Sequence, residues 1–181
     1  MGMALTVPRY TVDDLERLPD DGNRYELLGG VLLVTPAPSS GHQIVANRIQ
    51  TSLTMALDPS QAYVVGPGAI AVPPRTQLQP DVLVYPARFG TRVDWAKITG
   101  HWLAVEVLSH SSRVYDREFK RGAYFELGVR QLWLVDHQSR TIEVWRSPRV
   151  HHLERKVVRW RVPESSVTIT LELADVFAGF E

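Results

Sequence analysis

Apolar positions along the chain switch between helical and strand periods, and the switches mark the elements. Thr11 is a good N-cap for a short helix over residues 12–18, which stops at Pro19. After the turn residues Asp20, Asp21, Gly22 and Asn23 come two apolar runs, 25–28 and 31–34, split by Gly29-Gly30, a spacing that predicts a β-hairpin. Pro36, Pro38, Ser39 and Ser40 mark a loop and a helix start. From about residue 41 to 57, Ile44, Val45, Ile49, Leu53 and Leu57 recur at helical spacing until Asp58-Pro59. Residues 62–65 and 69–72 read as strands around Gly66-Pro67-Gly68. Residues 81–85 and 102–108 are continuous apolar runs, the pattern of strands covered on both faces, with loop over 86–100 between them. Ser109, Ser111 and Ser112 are candidate caps for a helix from about residue 113 to 127, closed by Gly128. Strands over 131–136, 141–146, 157–162 and 167–171 and a short helix over 173–177 complete the pattern. It contains no repeat and no linker. The prediction is one α/β domain spanning 1–181, with a mixed sheet at its centre.

Composition narrows the chemistry. None of the 181 residues is cysteine, which removes disulfides, thiolate zinc sites and cysteine nucleophiles. A metal site built from the remaining Asp, Glu, His and backbone oxygens suits Mg2+ or Mn2+ best. No apolar run is long enough to span a bilayer and no signal peptide is evident, so the expected location is the cytoplasm. The formal net charge is zero, mild evidence against tight non-specific binding to nucleic acid. The charge is unevenly spread, however. Residues 140–161 hold seven basic side chains against Glu143 and Glu154, either a local surface for phosphates or a solvated hairpin face. Only Lys97, Lys120 and Lys156 are lysines among the twenty cationic residues. An ammonium can serve as a movable proton donor or an activator of water, which a guanidinium does poorly.

Four charged residues stand where apolar ones are expected. Glu106 interrupts the run Leu103-Ala104-Val105-Glu106-Val107-Leu108, and an unpaired buried carboxylate costs several kcal/mol. Strand alternation puts Ala104, Glu106 and Leu108 on one face. Asp81 opens the next apolar strand directly after Pro80. Two acids on buried strands of one sheet can converge on one divalent cation. The helix after the Glu106 strand sets Asp116, Lys120 and Tyr124 on one stripe, from which Lys120 can reach over the carboxylates. Glu26, inside Tyr25-Glu26-Leu27-Leu28, is a further acid in an apolar run and a further candidate ligand. Each also has a structural reading: Asp81 as a turn acid, Glu106 paired with an arginine, Lys120 bridging Asp116, Glu26 facing solvent.

The segments Arg24-Tyr25-Glu26-Leu27, Gln79-Pro80-Asp81-Val82 and Val105-Glu106-Val107-Leu108-Ser109 resemble the Uma-two family, a bacterial group of restriction-endonuclease-like proteins within the PD-(D/E)xK nuclease superfamily. So do Asp116 through Lys120 to Tyr124, and Gly128-Val129 followed by Trp133. The resemblance runs from about residue 9 to 147. It departs at Leu108, where the superfamily usually has lysine, and implies that this function has migrated to Lys120. It further implies a restriction-endonuclease-like fold, a central mixed sheet flanked by helices, and a metal-dependent endonuclease acting on nucleic acid, DNA first. On this reading Asp81, Glu106, Lys120 and Glu26 are catalytic. Asp81, Glu106, the Val107 carbonyl and Glu26 are ligands to Mg2+ or Mn2+, and Asp116 and Tyr124 steady Lys120. His42 matches a recurrent family position; on its own it reads as a helix-surface residue. The superfamily's habit implies a homodimer, for which Trp145 and Trp160 offer contact or else core packing. The competing reading is a nuclease fold kept as a binding or dimerisation module without turnover, favoured by Leu108 and the zero net charge.

Overall fold

The structure, a computed structural model, describes residues 9–109 and 115–180. Thr11 caps α1 (Val12–Leu15) through a reciprocal box with Asp14, whose Oδ2 accepts from Thr11 N and Oγ1 at 2.8 Å each. The α-helix ends earlier than the pattern suggested, and residues 16–18 continue as turns. The hairpin forms as expected: β1 (Arg24–Leu28) pairs with β2 (Val31–Thr35), and Gly29 and Gly30 hold φ of 59° and 86° at its turn. That is the left-handed region where a side chain would be strained. In α2 (Ser40–Ala56) the buried stripe is His42, Val45, Ala46, Ile49 and Leu53. Ile44, assigned to that stripe from sequence, is instead 45% exposed. Its place is taken by His42, a substitution of polar for apolar that periodicity does not reveal.

β3 (Ala62–Val65), β4 (Ile70–Val72), β5 (Thr76–Leu78), β6 (Val82–Pro86) and β7 (Leu103–Val107) follow. The loop between β6 and β7 contains two short 3-10 turns, Ala87–Phe89 and Trp95–Lys97. Past the described break, a π-helical segment, Tyr115–Lys120, runs into α3 (Arg121–Glu126). The expected helix thus appears in two geometries; its proposed start at 113 and the caps Ser111 and Ser112 lie outside the described residues. The chain finishes with β8 (Leu132–Asp136), β9 (Thr141–Ser147), β10 (Val150–Glu154), β11 (Val157–Arg161), β12 (Thr168–Glu172) and α4 (Leu173–Val176). β5 and β10 were not anticipated. The first is three residues long, and the second is exposed along nearly its whole length, so neither leaves a hydrophobic pattern.

A six-stranded sheet in the order β10-β9-β8-β7-β6-β3 forms the centre, with β7 and β8 its parallel pair. A four-stranded sheet, β2-β1-β5-β4, and the ribbon β11-β12 lie beside it. The central strands β6, β7 and β8 are buried throughout, which explains their continuous apolar runs. Alternation splits the core into two layers. Val82, Val84, Leu103 and Val105 pack with α2, α4 and the β11-β12 ribbon. Leu83, Ala104, Leu108 and Tyr124 pack on the side of α3. Trp145 and Trp160, weighed as contacts for a second copy, are 6% and 1% exposed, so they belong to the interior. Trp160 meets Trp133 edge to face at 6.2 Å, and Trp145 stacks on His151 with Arg121 against its ring. Among the described residues no helix is long and apolar enough to cross a membrane.

Candidate active site

One edge of the central sheet collects the charged residues singled out above. β6 and β7 are antiparallel, with Val82 opposite Val105, so the entry to β6 and the end of β7 lie together. Asp81 stands at that entry and Glu106 at that end. β1 brings Arg24 and Glu26, two positions apart and hence on one face of their strand. Gln79 N donates to Glu26 Oε1 at 2.7 Å and ties the two sheets at this point. α2 supplies His42 and the π-helical segment supplies Asp116 and Lys120. A π-helical turn is uncommon and concentrates at functional sites.

Two linked clusters result. In the first, Asp81 receives Arg24 Nη2 on Oδ1 at 2.7 Å, and Val107 N on Oδ2 at 2.8 Å. His42 Nε2 lies 3.1 Å from the same Oδ2. Burial works against charge on Asp81, but the His42 contact, the Arg24 guanidinium and the Val107 amide outweigh it and hold the carboxyl below its ordinary range. His42, read from sequence as a helix-surface residue, is therefore a buried partner of Asp81, at 5% exposure. In the second cluster, Lys120 Nζ lies 2.5 Å from Glu26 Oε2, 3.3 Å from Asp116 Oδ1 and 3.4 Å from Glu106 Oε1. Tyr124 OH donates a short hydrogen bond to Glu106 Oε1. Burial alone would depress the amine, yet Glu106, Glu26 and Asp116 together raise its pKa, so it is an ammonium at neutral pH. Glu106 is pushed well above the usual carboxylate range by burial, with Asp116, Asp81 and Glu26 adding to the shift and Lys120 opposing it. Tyr124 is likewise raised by its burial and by Glu106.

The structure thus brings Glu26, Asp81, Glu106, Asp116, Lys120, Tyr124 and His42 to one edge, and all are at least nine-tenths buried. Glu26 is fully enclosed and already engaged by Lys120 and Gln79 N. Leu108, at the position where lysine is usual, is a core residue beside Tyr124 and Ala104. Three neighbours went unnoticed in the sequence. Arg24 was legible, since alternation sets it on the face of Glu26. His137 and Gln138, just past the end of β8, also line the cavity, but no local pattern announced them. The cavity holds about 350 Å3 between Arg24, His42, Asp81, Glu106, Lys120 and His137.

The oxygen donors and the charge of this set would suit a hard divalent cation. Four buried carboxylates face two permanent cations, Arg24 and Lys120, with His42 a third only when protonated. The surplus of negative charge adds to the burial that pushes Glu106 toward its neutral form, and a hard dication would offset that surplus. Among the described residues no donor reaches Glu106 Oε2, and none converge as three or more acidic or histidine ligands. The available set is two carboxylates supplemented by main-chain oxygen.

A solved structure of a "putative nuclease belonging to DUF820" from Anabaena variabilis is similar to this chain at a TM-score of 0.77. The match covers 94% of this chain and 99% of the other at 17% identity, a likeness of fold. No curated protein matches the chain. The family description "Uma2: Putative restriction endonuclease" matches residues 12–180, nearly the whole sequence, so the chain belongs to the Uma2 family of restriction-endonuclease-like nucleases.

Proposed function

We propose that this protein is a Mg2+- or Mn2+-dependent endonuclease that hydrolyses phosphodiester bonds in DNA. The observation that carries the reading is the Lys120 ammonium, buried against Glu26, Asp116 and Glu106 although Leu108 occupies the usual lysine position. Asp81, Glu106 and the Val107 carbonyl would hold the cation. When bound there, a divalent ion lowers the pKa of a coordinated water and offsets charge on the phosphate.

The chain's own residues perform the rest. Arg24, His42 and the Val107 amide keep Asp81 ionised and fixed in orientation. Tyr124 occupies Glu106 Oε1 and leaves Oε2 for a ligand. Lys120 is cationic, so it does not abstract a proton; it donates to the attacking water and stabilises the negative charge that grows on the phosphoryl oxygens. Glu26, with Asp116, anchors that ammonium in place of binding the ion itself. The loop after β8 runs from His137 and Gln138 in this cavity to Arg140, which lines a neighbouring cleft with Arg155 and Lys156. That basic cleft offers a path for the substrate backbone.

Leu108 and the zero net charge favour a second reading, a nuclease fold that binds without turnover. A plasmid-nicking assay in Mg2+ or Mn2+ separates the two. The parent is expected to nick, whereas Asp81→Ala and Lys120→Ala are expected to be at least ~100-fold slower. Nicking that survives in both variants points to a contaminant and rejects the site. An inactive parent that still binds DNA supports the second reading.

A further inference from the structure

Next to the catalytic cavity, and sharing Arg24 and Asp81 with it, lies a second cavity of about 320 Å3. Its size is at the lower end of small-ligand sites, roughly 300–1,000 Å3. Its lining is dominated by neutral amides: Asn23 before β1, Gln79 before β6, and Gln43, Asn47 and Gln50 from α2. The last three are spaced i, i+4, i+7 and form one stripe along the helix, beside the buried stripe of Val45, Ile49 and Leu53. Gly66 closes the far wall. A Cβ there would lie 2.6 Å from Gln50 Oε1 and 2.7 Å from the Asp81 carbonyl, so the close approach requires glycine.

Among the described residues, the only charged side chains in this cavity are Arg24 and Asp81, which are paired with each other. Among the described residues, the Gln43 and Gln50 side chains have no hydrogen-bond partner, and Asn47 uses only its oxygen, which accepts from Thr51 Oγ1 at 3.2 Å. Carboxamides present donors and acceptors without charge. That inventory matches the edge of a nucleobase, which also offers both without charge, and it is a poor match for a phosphate. A chain with zero net charge also gains little from general attraction to a polyanion, so neutral contacts must carry more of its grip on substrate.

We propose that this amide-lined cavity receives a base of the nucleotide flanking the scissile phosphate and makes substrate binding base-dependent; the assignment rests on the adjoining cavity being the hydrolytic site. Gln43 and Asn47 are exposed on α2 and their side chains bond to none of the charged residues, so Gln43→Ala/Asn47→Ala removes two of the amides while leaving every partner within the charged clusters in place.

The test is fluorescence anisotropy in Ca2+ with two labelled single-stranded oligodeoxynucleotides of equal length, one of mixed sequence and one of abasic residues. The parent should bind the mixed-sequence strand about tenfold or more tightly than the abasic one, the discrimination one good bidentate contact supplies. The double variant should lose that preference, keep its affinity for the abasic strand and unfold at the parent's temperature. Equal binding of both strands by the parent, no binding of either, or an equal loss on both in the variant would overturn the inference. Cleavage in Mg2+ or Mn2+ is scored separately. Base-dependent binding without cleavage removes the hydrolytic reading, and with it the place of the base beside a scissile phosphate, and leaves only the base contact; cleavage indifferent to the bases overturns this inference and keeps the hydrolytic reading.

Discussion

Replacing Lys120 by methionine is the most informative perturbation of the folded state, because the side chain keeps most of its unbranched stem and loses the charge and the N–H donors of the ammonium. The ammonium is 3% exposed and lies within 3.4 Å of three carboxylates. Removing one partner of a buried ion pair typically costs about 3–5 kcal/mol, since the remaining charge is left without compensation. The total stability of a domain is only about 5–15 kcal/mol, so the variant should unfold at markedly lower urea. The pH dependence gives the reasoning its sign. Without the ammonium, Glu26, Glu106 and Asp116 repel one another, and Glu106, already pushed well above the usual carboxylate range by burial, loses the cation that opposes that shift. Groups raised in this way favour the fold while protonated and lose that contribution as pH climbs through the folded pKa. The loss relative to the parent should therefore be smaller near pH 5 than near pH 8. Lys120→Met/Glu26→Gln should recover part of it, because one uncompensated charge disappears. Urea titrations of the parent and both variants across that range measure all of this. A loss below ~1 kcal/mol, flat with pH, would refute the reasoning. It is the result expected of a solvent-exposed i,i+4 pair with Asp116, worth only ~0.3–0.5 kcal/mol.

Two further outcomes follow from the same geometry. Tyr124→Phe deletes the hydroxyl that donates to Glu106; stability should fall by about 1–3 kcal/mol, and a loss under ~0.5 kcal/mol in urea would show the contact to be dispensable. His101 is buried, and that burial brings its pKa down to about 4. A group depressed below its ordinary value of ~6.5 stabilises the fold fully above that value and loses the contribution as pH falls toward 4. His101→Gln should flatten the acid limb of the stability profile between those limits, by up to ~3 kcal/mol, and an unchanged limb would exclude this histidine as its source.

How much of the site was legible depended on whether a residue broke its local pattern. Glu106 and Asp81 stood out because each is an acid in a run that strand burial had made apolar. Lys120 stood out as one of few lysines, on the helix that follows. Arg24 carried a weaker signal through its alternation with Glu26. His42 carried none in its local pattern, only its match to a recurrent family position, since a polar residue near a helix start looks like surface until Asp81 is brought against it from another sheet. His137 reaches the cavity only because β8 lies parallel to β7, a pairing that no local periodicity encodes. The same limit explains β10, whose exposed residues leave no pattern, and Trp145 and Trp160, whose burial depends on partners far along the chain.

The proposed chemistry requires a divalent ion beside the buried carboxylates, and crystals soaked in Mn2+ test this directly through the metal's anomalous scattering. An ion about 2.1 Å from oxygens of both Asp81 and Glu106, with Lys120 still held at Glu26, is the result the account predicts. Mn2+ absent from that cavity at saturating concentration, or bound only at surface acids, would contradict it.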